Sequence, residues 1–361
     1  MTNYVICGAG LVGMLTAREL AKAGMDVTII DRQRCGQESS WAGGGILSPL
    51  FPWLFPEAVT RLAQWGQTHY RQLALDLLDE TGIDSEWKKN GLLVIAHPNH
   101  NQIVDWADRY HYETNLLESD DLHSREPYLA QEFQKAVLFP QIAQIRNPRL
   151  GKAMRASLIK SGVTLLENTE IQGIKTHNGV VTAVMANGSM VSASHVIVAG
   201  GAWSTKLLQP FNCDLKVEPV RGQMLSFKTE PGMIRHVVLG RDHYLIPRLD
   251  GLVLAGSTLE YTGFEKTPTK EAFDKLYQRA LNIVPELSRY PIQAQWSGLR
   301  PGNTREGVPY ICQVNQIEGL YVNTGHFRNG VVLGYASATL MVDILLGRKP
   351  ILDPSPFDCC V

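Results

Sequence analysis

Apolar residues fall along this chain in two alternating periods. Residues 4–7 are a short apolar, β-prone run. Leu11, Leu15 and Leu20 recur at helical spacing through 11–23, and 26–30 is β-rich again. This is a βαβ unit. A Gly- and Pro-rich stretch (43–56) follows, then helical periodicity over 58–81, a strand over 91–96 and a helix over 149–160. Residues 162–166, 182–185 and 195–199 read as strands. The first two flank the turn-prone pair Asn178-Gly179, and the third runs into Gly200-Gly201.

The pattern changes between 217 and 259. Successive β runs at 223–227, 244–247 and 252–255, with little helical signal between them, predict an antiparallel sheet. A helix (271–281), a strand (320–323) and a final helix (331–346) restore the α/β pattern. The fold class expected is α/β: a Rossmann-like domain discontinuous in sequence (1–85, 145–215 and 300–361), with an inserted mixed or antiparallel β-sheet domain (86–144 and 216–299) for substrate.

Composition narrows the partners. The chain has 361 residues, 44% of them hydrophobic, enough for two domains with ordinary cores. Lys plus Arg number 34 against 35 for Asp plus Glu, so no field favours nucleic acid or an anionic membrane, and a small ligand is expected. The six cysteines form no CxxC pair and no metal-ligand spacing with His, which predicts no metal site and a reducing, cytoplasmic setting. Adjacent Cys359 and Cys360 read as plain thiols. The apolar start has no basic stretch before it and meets Arg18 and Glu19 directly, unlike a signal peptide. The apolar stretch 330–346 carries Asp343 and small residues, as a buried helix does.

Chemistry concentrates at two places. Gly8-Ala9-Gly10-Leu11-Val12-Gly13 follows a strand and opens a helix, and Asp31 ends the next strand roughly 20 residues on, the dinucleotide-binding spacing. Gly8 permits the tight turn, Gly10 lets backbone approach a pyrophosphate, and Gly13 lets helix and strand pack. The helix start offers N–H groups and a positive dipole to phosphate, and Asp31 can accept from a ribose. This fingerprint does not choose between NAD and FAD. At the other end of the chain, Gly325-His326-Phe327-Arg328-Asn329-Gly330 joins a strand to a helix, where a second dipole can stabilise charge developing on a flavin. A plain strand-to-helix turn with a structural His326 fits the residue types equally well. No second GxGxxG exists for a separate nicotinamide coenzyme.

The motifs together resemble the D-amino acid oxidase family of flavoenzymes, most closely its glycine oxidase branch, which serves bacterial thiamine biosynthesis. The matching blocks are 6–13 with Asp31, Ser39-Ser40-Trp41-Ala42-Gly43-Gly44-Gly45-Ile46, 195–203, Tyr244-Leu245-Ile246-Pro247-Arg248, Gly298-Leu299-Arg300-Pro301-Gly302 and 325–330. They run from one end of the chain to the other.

The resemblance implies an FAD bound without a covalent link, since no cysteine stands in 298–302 where sarcosine-type relatives attach it. Arg32, Ser39, Ser40, Gly200 and Trp203 would join the fingerprint around it, with Ile171 at the adenine end. Gly44, Gly45 and Ile46 would line the flavin, and His326, Phe327, Arg328, Asn329, Gly330, Val331 and Val332 would wrap its ring edge. Arg300 would fork the substrate carboxylate, with Tyr244 helping and Arg328 nearby, an assignment that suits a planar, permanently charged guanidinium. Arg300 itself reads as sitting in an apolar, Gly-flanked turn. Some relatives have histidine where Asp242 stands, leaving that wall of the pocket open.

The implied reaction takes glycine to the imino acid and then to glyoxylate and ammonia, with O2 reduced to hydrogen peroxide. Oxidation of D-amino or N-methyl amino acids such as sarcosine, or transfer to another electron acceptor, is the alternative. Neither reading fixes the oligomeric state, and a homo-oligomer is compatible with both.

Overall fold

The computed structural model describes residues 3–95, 99–213 and 215–359. Its first sheet has six strands in the order Tyr310–Gln313, Leu320–Thr324, His195–Val198, Asn3–Cys7, Asp26–Ile30 and Thr164–Leu166. All are parallel except the first, an antiparallel edge. Side chains alternate across the central strand. Tyr4 and Ile6 pack among the helices Leu11–Lys22, Glu57–Thr81, Asn147–Lys160 and Gly330–Leu345, while Val5 and Cys7 pack on the opposite side beneath a three-stranded meander. A sheet covered on both faces needs apolar residues on both, which is why residues 4–7 form an unbroken apolar run.

The meander (Ile171–His177, Val180–Ala186 and Ser189–Ser192) corrects one expectation. Asn178 and Gly179, at φ 49° and 79°, do make a hairpin turn, but the partner of Val180–Ala186 is Ile171–His177. Thr164–Leu166 instead closes the edge of the main sheet beside Asp26–Ile30. The strand Ile171–His177 exposes most of its side chains and carries few apolar residues, so it leaves little periodic signal.

The second sheet has eight strands in the order Ile292–Asn303, Val217–Lys228, Leu252–Gly256, Tyr244–Pro247, Val237–Leu239, Leu92–Ile95, Lys135–Phe139 and Asn115–Glu118. Neighbours are antiparallel except the parallel pair Val237–Leu239 and Leu92–Ile95. Alternation again sorts the faces. Leu245 packs under the helix Lys270–Ile283, whereas Tyr244 and Ile246 face Ile46 and Leu50 from the first domain. This second face positions the site. Of the expected strand 91–96, Leu92–Ile95 is seen and Ala96 lies outside the described residues.

A second correction concerns Arg300. The segment around it is not a turn but part of the twelve-residue strand Ile292–Asn303, with Val220 opposite Arg300 and Gly222 opposite Gly298. Its glycines serve close packing: a Cβ on Gly298 would lie 2.6 Å from Ala42 Cβ, and one on Gly302 would lie 2.5 Å from Val220 Cγ2. The expected domain boundary between 299 and 300 falls inside this strand.

Candidate cofactor and substrate site

One long cleft runs between the two sheets. Gly10, Leu11 and Val12, at the start of the helix Leu11–Lys22, line one part of it with Gly8, Asp31, Arg32, Ser39, Ser40, Ile171, Gly200 and Trp203. Gly8 has φ +116°, and a Cβ there would lie 2.5 Å from Ala199 O. Ala9 and Gly13 sit behind this lining. Gly13 presses on the Gly8 carbonyl, 2.0 Å from where its Cβ would be, and Ala9 N donates to Asp31 Oδ2 at 2.7 Å. Asp31 Oδ1 also accepts from Gln33 N at 2.8 Å, and burial pushes the carboxyl upward in pKa. Each oxygen keeps a further lone pair for a ribose. The helix start has no side-chain cap of its own, though Ser40 Oγ accepts from Leu11 N at 2.8 Å. Its free N–H groups are a ready anion site.

Gly44, Gly45 and Ile46 line another part of the cleft, with Tyr244, Arg300 and residues 326–332. Gly45 is confined to glycine twice over, by φ +71° and by Ile145 O, 1.9 Å from an added Cβ. The Gly44 carbonyl accepts from Arg248 Nη2 at 2.8 Å, and the same buried guanidinium holds Gln144 Oε1 at 2.6 Å and Ile145 O at 3.2 Å. Burial brings Arg248 down to about 10, so it stays charged at neutral pH. Sequence reading gave this last residue of the Tyr-Leu-Ile-Pro-Arg block no role; its geometry is that of a tie between the eight-stranded sheet and the Gly44 loop.

The turn from the strand Leu320–Thr324 into the helix Gly330–Leu345 is fixed from two sides. The Tyr70 hydroxyl donates to Val331 O, and His326 Nε2 bonds Ser337 Oγ at 2.9 Å. Burial pushes the His326 imidazole down to about 3, so it is neutral at physiological pH. His326 is therefore both a satisfied buried residue and part of the cleft wall. Asn329, 2% exposed, has neither amide atom partnered within the protein, and Asn323 Oδ1 is likewise orphaned. Both residues line the cleft. Buried amides in this state call for a polar ligand.

Arg300 and Arg328 form the cationic part of the wall, with the Tyr244 hydroxyl beside them. Arg300 Nη2 bonds Ser257 Oγ at 2.8 Å and Nη1 bonds Thr258 O at 3.1 Å. Burial lowers its pKa, the Tyr244 hydroxyl opposing that shift and the Arg328 charge adding to it; burial lowers Arg328 too. Two desolvated guanidinia without a carboxylate between them favour an anion. The acids that do line the cleft are elsewhere: Glu38 pairs with Arg32 at 3.0 Å, Asp31 is held by backbone, and Glu170 precedes Ile171. Asp242 does not line the cleft; it pairs with Arg279 and with His243 Nδ1 at 2.7 Å.

Sequence reading also missed Glu38 and Asn323, neither of which stands in a recognisable motif. Among the described cysteines only Cys7 lines the cleft, and burial pushes its thiol up to about 12. Spacing alone could not bring Cys312, Asp358 and Cys359 together, yet their ligand atoms lie within 4.8 Å of one another; Cys360 lies outside the described residues. Among the described residues no helix is long and apolar enough to cross a membrane.

The glycine-walled cleft, the open helix start and the orphaned Asn329 fit a flavin dinucleotide. Comparison with known proteins agrees. The family model for FAD-dependent oxidoreductases of the D-amino acid oxidase type matches residues 3–344. Glycine oxidase of Pseudomonas aeruginosa is 44% identical over 98% of this chain and 98% of its own. The bifunctional ThiO/ThiG protein of Trichormus variabilis is 28% identical over 96% of this chain and 53% of its own length. The crystal structure of glycine oxidase from Bacillus cereus superposes with a TM-score of 0.90 at 30% identity, covering 98% of this chain and 100% of that one. The chain belongs to the FAD-dependent oxidoreductase family of D-amino acid oxidase type, with FAD as its cofactor.

Proposed function

We propose that this protein is an FAD-dependent oxidase of glycine, which it converts to the imino acid and then, by hydrolysis, to glyoxylate and ammonia. The observation that carries this reading is the cluster of Arg300, Arg328 and Tyr244 in the wall shared with the Gly44 loop and the 326–332 turn. A small carboxylate lodged there leaves its amine and Cα against the part of the cleft where flavin-lining residues gather. The likeness to glycine oxidases over nearly the whole chain supports glycine as substrate, and the likeness to ThiO/ThiG supports a place in thiamine biosynthesis, in forming the thiazole.

Bound there, FAD would supply the two-electron redox chemistry between the substrate Cα and O2, with hydrogen peroxide as the product. The protein binds, orients and excludes water. Arg300 forks the carboxylate, Tyr244 donates to it, and Arg328 adds positive potential. Gly8, Gly10, Leu11, Val12 and Asp31, with Ala9 and Gly13 behind them, hold the ADP half. Arg32, Ser39, Ser40, Ile171, Gly200 and Trp203 flank it, and Gly44, Gly45, Ile46 and the segment from His326 to Val332 hold the flavin half without a covalent bond. Neutral His326 and the start of the helix Gly330–Leu345 place dipoles, not a proton donor, at that end. Among the described residues no carboxylate lines the cleft beside the arginines, and the nearby Glu260 is engaged by Arg221 and Gln223, so no protein base is assigned to the amine.

Steady-state peroxide formation with glycine, sarcosine and D-alanine tests the reading. Turnover of glycine is expected; turnover confined to a bulkier D-amino acid would overturn it.

A further inference from the structure

The strand Val217–Lys228 lies between two neighbours, and both contribute to the arginine site. On one side it pairs with Ile292–Asn303, which carries Arg300; on the other it pairs with Leu252–Gly256, which leads into Ser257 and Thr258. The Arg300 side chain reaches across the middle strand, over Gly222, to bond both of them. It can do so only because residue 222 has no side chain. A Cβ there would lie 2.1 Å from Arg300 Nη1 and 2.2 Å from Cζ.

The far anchor is fixed to the same strand. Gln223 N donates to Thr258 Oγ1 at 2.9 Å, Thr258 N to Gln223 O at 3.3 Å, Arg221 N to Glu260 O at 2.9 Å and Glu260 N to Arg221 O at 3.0 Å. The nearby Glu260 carboxylate is engaged by Arg221 Nε at 2.6 Å and Gln223 Nε2 at 3.0 Å. The direct acceptors of Arg300 are thus a hydroxyl and a carbonyl, both neutral. They take two of its five N–H donors and leave its charge unspent.

We propose that Gly222 and Ser257 are positioning residues for Arg300: Gly222 is the notch through which the guanidinium crosses, and the Ser257 hydroxyl sets its rotation towards the substrate carboxylate. This rests on the reading of Arg300 as the carboxylate fork. Neither residue touches substrate. The three atoms nearest an added Cβ at Gly222 all belong to the end of the Arg300 side chain, so Gly222→Ala is expected to displace the guanidinium rather than the backbone.

The test compares Gly222→Ala, Ser257→Ala and Arg300→Lys in the FAD-loaded enzyme, reading KM and kcat for glycine and the dissociation constant of acetate from its perturbation of the flavin spectrum. Acetate carries the carboxylate without an amine to oxidise. Expected are a rise of about tenfold or more in both KM and the acetate constant for Gly222→Ala, and roughly threefold to tenfold for Ser257→Ala, with FAD content and kcat little changed. Wild-type values in both of these variants, with Arg300→Lys impaired, would overturn the proposal alone. Wild-type values in all three would overturn the carboxylate role of Arg300 as well. If Ser257→Ala fails to fold, Gly222→Ala decides.

Discussion

Replacing Arg300 by lysine probes the substrate half of the site while keeping a positive charge. The guanidinium holds Ser257 Oγ at 2.8 Å and Thr258 O at 3.1 Å, with its remaining donors available to a carboxylate. The substituted ammonium is a single point on a shorter reach. It can satisfy the internal acceptors or the substrate, not both in fork geometry. Loss of one charge-assisted hydrogen bond costs about 1.5 to 3 kcal/mol, which at about 1.4 kcal/mol per decade is roughly a tenfold to hundredfold loss of affinity. Burial disfavours charge at this position and the neighbouring Arg328 repels a cation, so the introduced amine loses its proton more readily than usual. Its deficit therefore grows as pH rises. Initial rates of peroxide formation against glycine concentration, at two pH values, measure both effects. An unchanged KM at both would mean that Arg300 does not bind the carboxylate.

Other substitutions test other parts. Gly8→Ala drives a Cβ to 2.5 Å from Ala199 O in a conformation that suits glycine, so the purified protein should carry much less FAD per chain, read from its visible absorbance. Arg248→Met leaves the Gly44 and Ile145 carbonyls without their donor, at about 1 to 3 kcal/mol for each group; the melting temperature should fall and FAD should dissociate faster. Glu167, held by Arg155 at 2.6 Å and by Cys35 N at 2.7 Å, has its carboxyl lowered to about 2, chiefly by the Arg155 hydrogen bond. Its contribution to stability is full above the unfolded carboxylate range and is lost as pH falls towards 2. Glu167→Gln should flatten the dependence of the urea midpoint on pH between about 4.5 and 2.

The first domain was legible because its strands are buried on both faces. Residues 4–7 carry a continuous apolar run, 26–30 is rich in β-branched residues, and the fingerprint glycines have mechanical causes. The second sheet was legible only in part. Val217–Lys228 was shortened, and the stretch 298–302 within Ile292–Asn303 was read as a turn because Gly298, Pro301 and Gly302 punctuate it. Gly298 and Gly302 permit close approach to Ala42 and Val220, contacts made by chain more than two hundred or about eighty residues away, which no local pattern encodes. Site residues inside a motif, such as Tyr244 and Arg328, could be named from sequence. Those that act by crossing strands could not. Gly222, Ser257 and the buried Arg248 owe their contacts to register and topology, and their residue types in isolation signal nothing.

A cleft that holds FAD and in which Arg300 clamps glycine must let glycine reduce the flavin. The most direct measurement is the visible spectrum of the purified protein before and after anaerobic addition of glycine. A flavin band is expected that bleaches with glycine and returns on admitting air, with hydrogen peroxide formed. A flavin band that glycine leaves unchanged would contradict it.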